Sequence, residues 1–433
     1  MYVTSIEIEN IRCNHQLIWS VEQEEAAGWH VVLGVNGTGK SSLLSTVALT
    51  LSGPHESMVL RQDYNRWLST GQDQGKCNLS LSWDPAWDTF SQRGKTPKQH
   101  AVLRAGLNFS RDNGRVVVCS QDHNPDGARH LWGPGAGWFS ASFGPFRRFT
   151  GGSREYEKLF YQYPRLAPHL SIFGEEVALT ESLAWMKDLH HKMLDYRSRG
   201  KTAEGEAIYR FTEGIKHFVN ASGFLPDHTR LHAITADDVE FVDGNGCTVP
   251  VVDLSDGYRS ILSLAFELFR QLARCYGMQQ LFDPVDGSVV QVPGVVLIDE
   301  IDVHLHPSWQ QKVGSWFREH FPRIQFLVTT HSSFVCQAAT TIWRMPSPGS
   351  RTEIRRLAGD ELDSLLYGNV LDAHSTGLFA EGNTRSPAAT EKLERFAQLN
   401  IKAFDQELSQ AEQAERETYR RIFATTPNPV AAS

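Results

Sequence analysis

The chain has 433 residues, of which 41% are hydrophobic and 21% charged, and its formal net charge is −8. It is long enough for two or three core-forming units, and its composition is that of an ordinary soluble protein. No apolar run reaches the roughly 18 residues of a membrane span, and the negative charge disfavours nucleic-acid binding by the surface as a whole, leaving local patches open.

The first predicted element is an alternating strand, Tyr2 to Ile8, with no signal peptide apparent before it. A later apolar run, Val31-Val32-Leu33, leads into Gly34-Val35-Asn36-Gly37-Thr38-Gly39-Lys40-Ser41, and Ser42 to Leu51 follows as a helix. This strand–loop–helix succession fits the phosphate-binding loop without a mismatch. The glycines permit the tight turn that points successive backbone N–H groups at a phosphate, and the helix N-terminus adds positive potential. In this pattern Asn36, Gly37, Gly39, Lys40, Ser41 and Ser42 face an ATP molecule. Lys40 reaches its β- and γ-phosphates, and the Ser41 hydroxyl binds Mg²⁺.

Beyond the loop, Trp83, Leu103, Leu107 and Val116-Val117-Val118 suggest antiparallel strands, with Asp112-Asn113-Gly114 as a polar turn. Phe143-Gly144-Pro145-Phe146-Arg147-Arg148 ends an apolar stretch with a turn and two guanidiniums. It reads equally as a strand end with solvated arginines or as a nucleotide- or partner-sensing loop. Residues 154–222 read helical, through Leu183, Met186, Leu189 and Met193, then Ile208, Phe211, Ile215 and Phe218. Strands return over residues 231–252, with a hairpin signal at Asp243-Gly244-Asn245-Gly246. Leu254-Ser255-Asp256-Gly257-Tyr258-Arg259 then precedes a strongly apolar helix, Ile261 to Leu272, which Ser255 is placed to cap.

Val295-Val296-Leu297-Ile298 is a continuous apolar run, as expected for a strand buried on both faces of a parallel sheet, and it ends in Asp299-Glu300. Ligands sit at strand ends in such sheets. With a phosphate loop in the same chain, Asp299 is placed to hold Mg²⁺ through water and Glu300 to polarise the attacking water as general base. Gln325 to Thr330 is another buried strand, ending at His331. The tight histidine pairs, His190-His191 and His304-Leu305-His306, do not read as metal sites. The six cysteines are scattered with no Cys-x-x-Cys, which predicts reduced thiols in a cytoplasm and no structural zinc.

After a strand-like stretch from Ile342 to Leu357, the remainder reads helical. Leu393, Phe396, Leu399, Ile401, Phe404 and Leu408 are spaced for one buried face, on a helix that starts at Ser386-Pro387. That face packs on its own domain or serves as a partner or self-association surface. Phe379-Ala380-Glu381-Gly382 resembles the opening of a Toprim nuclease, but no Asp-x-Asp follows Glu381 to complete a metal site, so a built-in nuclease of that kind is rejected.

In this order the loop, Leu254 to Arg259, the acidic strand end and the strand before His331 resemble the ATP-binding-cassette ATPases, specifically their SMC/Rad50/RecF-like branch. The resemblance implies an α/β fold: a two-lobed ABC-ATPase head whose mixed sheet carries the loop, with a compact helical insertion and a helical C-terminal tail. The implied division is residues 1–150 for the first lobe, 151–230 for the insertion, 231–357 for the second lobe and 358–433 for the tail. It further implies that Ser255 and Gly257 contact the γ-phosphate of ATP held by a second subunit. His331 is then the switch histidine beside catalytic Glu300, and Asp302 lies in the loop joining the two sites. Asn10-Ile11-Arg12 resembles the family's opening Asn-Phe-Arg, so Arg12 is implied to touch nucleotide. The family has a glutamine-containing loop near Phe143 to Arg148, and no glutamine sits there in this chain. The helical part of the insert, about 70 residues at about 1.5 Å each, is too short for the long paired arms of SMC and Rad50 proteins.

The short insert, the helical tail, the run from Asp299 to Pro307 and the Phe143 to Arg148 loop also resemble ATPases of prokaryotic anti-phage modules, the Septu PtuA and PARIS AriA families. This implies an ATPase that forms a homodimer, or an oligomer of dimers, and controls a separately encoded nuclease or toxin effector. A nucleic acid or a phage protein would be its trigger, and no membrane is involved. The alternative is a RecF/Rad50-like DNA-repair ATPase that binds DNA directly. A transporter ATPase is weaker, because Tyr258-Arg259 follow Asp256-Gly257 where that class has Leu-Ser-Gly-Gly-Gln.

Overall fold

The computed structural model describes residues 1–60, 62–90, 96–98, 101–121, 126–132, 137–147, 162–174, 180–223, 225, 227–283, 285–350, 353–368 and 387–423. Strands β1 (Tyr2–Ile11), β2 (Asn14–Ser20) and β3 (Gly28–Leu33) open the chain, and helix α1 (Lys40–Ser52) follows the loop after β3. Next come β4 (Gln74–Ser82), β5 (Leu103–Asp112), β6 (Arg115–Ser120) and β7 (Ser140–Phe143), then helices α2 (Thr180–Ser198) and α3 (Thr202–Ala221). Strands β8 (Arg230–Ile234), β9 (Val239–Val242) and β10 (Thr248–Pro250) precede α4 (Asp256–Tyr276). Then β11 (Gly294–Ile298), α5 (Pro307–His320), β12 (Ile324–Thr330), β13 (Thr341–Arg344), β14 (Arg355–Arg356) and α6 (Gly359–Tyr367) complete a compact unit, Met1–Val370. A second unit, Leu371–Ser433, holds α7 (Pro387–Asp405) and α8 (Gln410–Ile422).

A five-stranded antiparallel sheet runs in the order β2-β1-β4-β5-β6. A six-stranded sheet runs β14-β13-β3-β12-β11-β7, with β13, β3, β12, β11 and β7 parallel. Every residue of β11 and β12 is buried. Parallel strands covered on both faces need apolar side chains on both, which explains these unbroken runs. β4 instead alternates, with Cys77, Leu79 and Leu81 inward and Lys76 and Asn78 outward. Helix α1 lies between the two sheets and touches β1, β4 and β5 as well as β7, β11 and β12. It is therefore buried continuously from Leu43 to Ser52. Its Thr46, Thr50 and Ser52 hydroxyls donate to carbonyls one turn earlier, which removes the cost of burying them.

Because β3 is inserted between β13 and β12, residues 1–150 and 231–357 build one sheet jointly. The helical pair α2 and α3 is 19 and 20 residues long. It is fastened by Phe218, whose ring centroid lies 4.9 Å from that of Phe269 on α4 and 5.3 Å from that of Trp316 on α5. Asp243 turns the β9–β10 hairpin, its carboxylate accepting from the Asn245 and Cys247 N–H groups. Helix α6 packs on the short helix Ser333–Cys336 and belongs to the first unit. Among the described residues, no helix is long and apolar enough to cross a membrane.

The tail is two helices where the sequence pattern suggested one face of a single helix. Ser409 starts α8 with a capping box, its hydroxyl accepting from the Glu412 N–H while the Glu412 carboxylate accepts from the Ser409 N–H. The helices are joined by the ion pairs Lys402–Glu412 at 2.6 Å and Arg395–Glu415 at 3.2 Å, and Phe396 meets Tyr419 and Phe423. Leu399 is buried, but Ile401 and Phe404 are 66% and 93% exposed, so the expected buried face is only partly covered. Arg148 and the Phe379 to Gly382 segment lie outside the described residues.

Candidate active site

Four parallel strands deliver chemistry to one edge of the six-stranded sheet. The phosphate loop follows β3, Arg147 follows β7, the acidic turn follows β11, and His331 follows β12. In the loop, Gly37 and Gly39 have φ of +80° and +95°, which favour glycine. A Cβ on Gly39 would stand 2.6 Å from Cys13 Sγ and 2.8 Å from Asn14 Oδ1, so the β1–β2 turn abuts the loop. Gly39 has no side chain to cap α1, and no acidic residue occupies the first turn. The first N–H groups of α1 thus remain to be satisfied from outside, as an anion does. Asn36 and Ser41 are exposed and Ser42 is half-buried.

Lys40 folds back across this cradle. Its Nζ donates to the carbonyls of Gly34 at 2.7 Å and Val35 at 3.2 Å, and to His331 Nε2 at 2.9 Å. Burial pushes the ammonium pKa down, against the pull of Glu300, Asp299 and Asp302. His331 is pushed down too, by burial and then by Lys40. A neutral imidazole is the form that accepts the lysine's hydrogen bond.

The acidic turn is fixed by two threonines at the end of β12. Thr329 Oγ1 donates to Asp299 Oδ1 at 2.5 Å and accepts from the Glu300 N–H at 2.8 Å. Thr330 Oγ1 donates to Asp302 Oδ1 at 2.6 Å. Asp299 is buried, and Glu300 is half-buried with φ of +46°. Burial raises the Glu300 carboxyl above the usual range, Asp299 raises it further, and Lys40 and Arg147 act against the rise. A raised carboxyl is a stronger base. These threonines were passed over in the sequence; their signal is hydroxyl residues closing an otherwise apolar strand.

Arg147 is not a solvated arginine: only 4% of it is exposed. Its guanidinium donates to the carbonyls of Gly144 (3.0 Å), Asp299 (2.9 Å), Glu300 (3.1 Å) and Ile301 (3.3 Å), and to Ser260 Oγ (3.3 Å) on α4. Burial pushes its pKa down to about 10, with Asp299, Asp302 and Glu300 opposing.

The remaining sequence candidates sit further out. Arg12, at φ +52°, stacks its guanidinium over the Trp67 ring at 4.3 Å, and its N–H donates to the Trp67 carbonyl. Next to it, Cys13, Asn14, Gln16, Leu17, Gln72, Pro346 and Glu353 line a cleft of about 500 Å³ beside the loop. Asn14 is buried in this wall, and among the described residues its Nδ2 has no hydrogen-bond partner. Gly257 packs against the turn after the acidic strand, where a Cβ would stand 3.0 Å from the His304 carbonyl. Ser255 holds the cap position of α4 without making a cap hydrogen bond. It lines a separate cleft of about 1290 Å³ with Asp227, Thr229, Asp243 and Tyr258, and no residue of residues 34–42 lines that cleft. His306 caps α5 through the Ser308 N–H. The structure thus joins Lys40 to His331 directly and Asp299, Glu300 and Asp302 through the threonines; Gly257 meets only the His304 turn, and Ser255 opens elsewhere.

The donor set suits a triphosphate with Mg²⁺: backbone N–H groups, one ammonium on neutral acceptors, a hydroxyl and carboxylates. Comparison with known proteins agrees. The Septu protein PtuA of Bacillus mycoides (strain KBAB4) is 26% identical over 341 residues, which are 76% of this chain and 38% of that protein. The "Retron Ec83 probable ATPase" of Escherichia coli is 40% identical over 122 residues, 28% of this chain and 21% of that protein. The chain thus spans well under half the length of either relative. Among solved structures, an SMC head bound to the C-winged helix domain of ScpA superposes with a TM-score of 0.51 at 15% identity, covering 83% of this chain and 99% of that one. That likeness fixes the fold as an ABC-ATPase head. Residues 79–337 match the family described as "AAA domain, putative AbiEii toxin, Type IV TA system". With more than half of its length matched, the chain belongs to this AAA-domain family.

Proposed function

We propose that this chain binds and hydrolyses ATP as the regulatory subunit of a prokaryotic anti-phage defence module and controls a separately encoded nuclease or toxin effector. The observation that carries the reading is the joining of Lys40, His331 and the Asp299-Glu300 turn at one edge of the parallel sheet. The relatives named for Septu and retron systems support the defence setting. On this reading Lys40 exchanges its carbonyl partners for the β- and γ-phosphates, and N–H groups from Gly37 to Ser41 hold the phosphate oxygens. Asn36 and Ser42 flank the phosphates, and Arg12 approaches the nucleotide from the neighbouring turn. Ser41 and Asp299 would hold Mg²⁺, whose chemistry there would be to offset the phosphate charge. Glu300 takes the proton of the attacking water. Release of Lys40 frees His331 Nε2 to face the γ-phosphate. Ser255 and Gly257 of a second copy close the site, and Asp302 links the two sites of the dimer.

The test is Glu300→Gln. It keeps the Asp299 carboxylate and the fold but removes the proton acceptor. ATP affinity is expected to stay within about threefold while turnover falls about 100-fold or more, as for loss of a general base. ATP-bound dimers should accumulate, visible by light scattering. Turnover at the wild-type rate would sink the hydrolytic assignment. Salt-dependent DNA binding by the chain alone, with no effector gene beside its own, would favour the repair ATPase instead.

The tail offers a second measurement. Ile401, Phe404 and Ile422 are exposed on α7 and α8, more apolar surface than a solvated hairpin needs. Deleting residues 386–433 is expected to leave ATP affinity unchanged and to lose either the oligomer or the effector complex. Light scattering and a pull-down with the neighbouring gene product read this. Native mass and retained partner would make the tail mere packing, and loss of ATP binding would place it in the ATPase core.

A further inference from the structure

We infer that Arg147 is the positioning residue of the hydrolytic turn: it holds the Glu300 backbone so that the carboxylate faces the water site. This rests on the hydrolytic reading above and adds to it a residue that stands outside the phosphate loop and the acidic turn.

The argument starts from donor geometry. A guanidinium carries five N–H donors in a rigid plane, and a buried one must place them all. Arg147 does so on the carbonyls of Gly144, Asp299, Glu300 and Ile301 and on Ser260 Oγ. Three of these acceptors are consecutive, and Glu300 is the middle one. Glu300 also has φ of +46°, a left-handed conformation that a side chain with a Cβ does not hold without help. The help comes from two sides. Thr329 Oγ1 accepts from the Glu300 N–H, and Arg147 gathers the carbonyls of Asp299, Glu300 and Ile301. An extended or helical φ at Glu300 would swing its carbonyl away from the guanidinium and re-aim its side chain. The Ser260 contact anchors the same guanidinium to α4, the helix that opens just after Ser255. All five guanidinium donors are taken up by four carbonyls and the Ser260 hydroxyl, so Arg147 acts through the turn and not on ATP or the reacting water.

The experiment measures kcat, KM and equilibrium ATP affinity for the full chain and for Arg147→Met, Arg147→Lys, Glu300→Gln and Arg147→Met/Glu300→Gln. Arg147→Met is expected to lower kcat about 100-fold with ATP affinity within about threefold, because misplacing a base costs turnover and not binding. Arg147→Lys keeps the charge but not the plane, and should recover part of the loss. In the double variant the two losses should not multiply, since Arg147 acts through Glu300. Arg147→Met turnover within threefold of wild type, an equal fall in affinity and kcat, or multiplying losses would each overturn the inference. If Arg147→Met does not melt cooperatively, Arg147→Lys decides, with an expected fall in kcat of about tenfold at unchanged affinity. Unchanged kcat in Arg147→Lys, or its failure to fold, overturns the inference as well. If Glu300→Gln turns over normally, or the wild type does not hydrolyse ATP, the hydrolytic reading itself fails and this inference falls with it.

Discussion

Lys40→Ala is expected to abolish ATP binding in practice. The ammonium is the point charge that the loop supplies to the phosphates, and hydrogen bonds between charged groups are worth roughly 1.5–3 kcal/mol each. Losing two of them to a triphosphate weakens affinity by about 100-fold or more, since 1.4 kcal/mol is tenfold. Calorimetry reads this directly. Misfolding is not a rival explanation, and the reason lies in the site's electrostatics. Burial lowers the Lys40 pKa, so in the nucleotide-free protein the charged form is held at a cost. Removing it relieves that cost while taking the lysine donor from the Gly34 carbonyl and His331 Nε2; the Val35 carbonyl keeps its bond from the Thr38 hydroxyl. The two effects oppose each other, and the melting temperature should move little. Wild-type affinity in this variant would remove the loop from the mechanism.

What could be read in advance was what is written locally. The phosphate loop, the apolar strands before Asp299 and His331, and the Asp243 to Gly246 turn each depend on neighbours in sequence, and each lies where its pattern placed it. Arg147 could not be read, because all five of its acceptors are backbone or hydroxyl oxygens, and four belong to elements more than a hundred residues away. Side chain-to-carbonyl bonds leave no residue pattern at the acceptor. The same holds for the joint sheet: nothing in Val31 to Leu33 announces that the strand is flanked by β12 and β13. The break in the tail was legible and was missed. Ser409-Gln410-Ala411-Glu412 is a capping-box sequence, and it outranks the apolar spacing that runs through it. Arg12 is a different case: the family resemblance directs it to the nucleotide, and the sequence does not announce that its guanidinium lies over the Trp67 ring.

Ser255→Arg tests whether the site is shared between copies. Ser255 is exposed, makes no cap hydrogen bond and lines a cleft that includes no loop residue. An exposed substitution of this kind changes stability by about 0.5 kcal/mol at most, and ATP affinity should stay near normal. Turnover should nevertheless be lost, because a second copy's γ-phosphate would meet a long cation where the hydroxyl belongs. The decisive step is to mix this variant with Lys40→Ala. In a mixed dimer one site combines the intact loop of the Ser255→Arg copy with the intact Ser255 of the other copy. The opposite site carries both defects. Two inactive proteins should therefore regain activity on mixing, peaking at equal amounts at about a quarter of the wild-type rate if copies assort at random, each mixed dimer having one working site. Wild-type turnover in Ser255→Arg alone would exclude that residue from the site. Mixtures that stay inactive at every ratio, while light scattering shows mixed dimers, would mean that each copy hydrolyses with its own residues. The cleft beside Ser255 would then need another occupant than a neighbour's nucleotide.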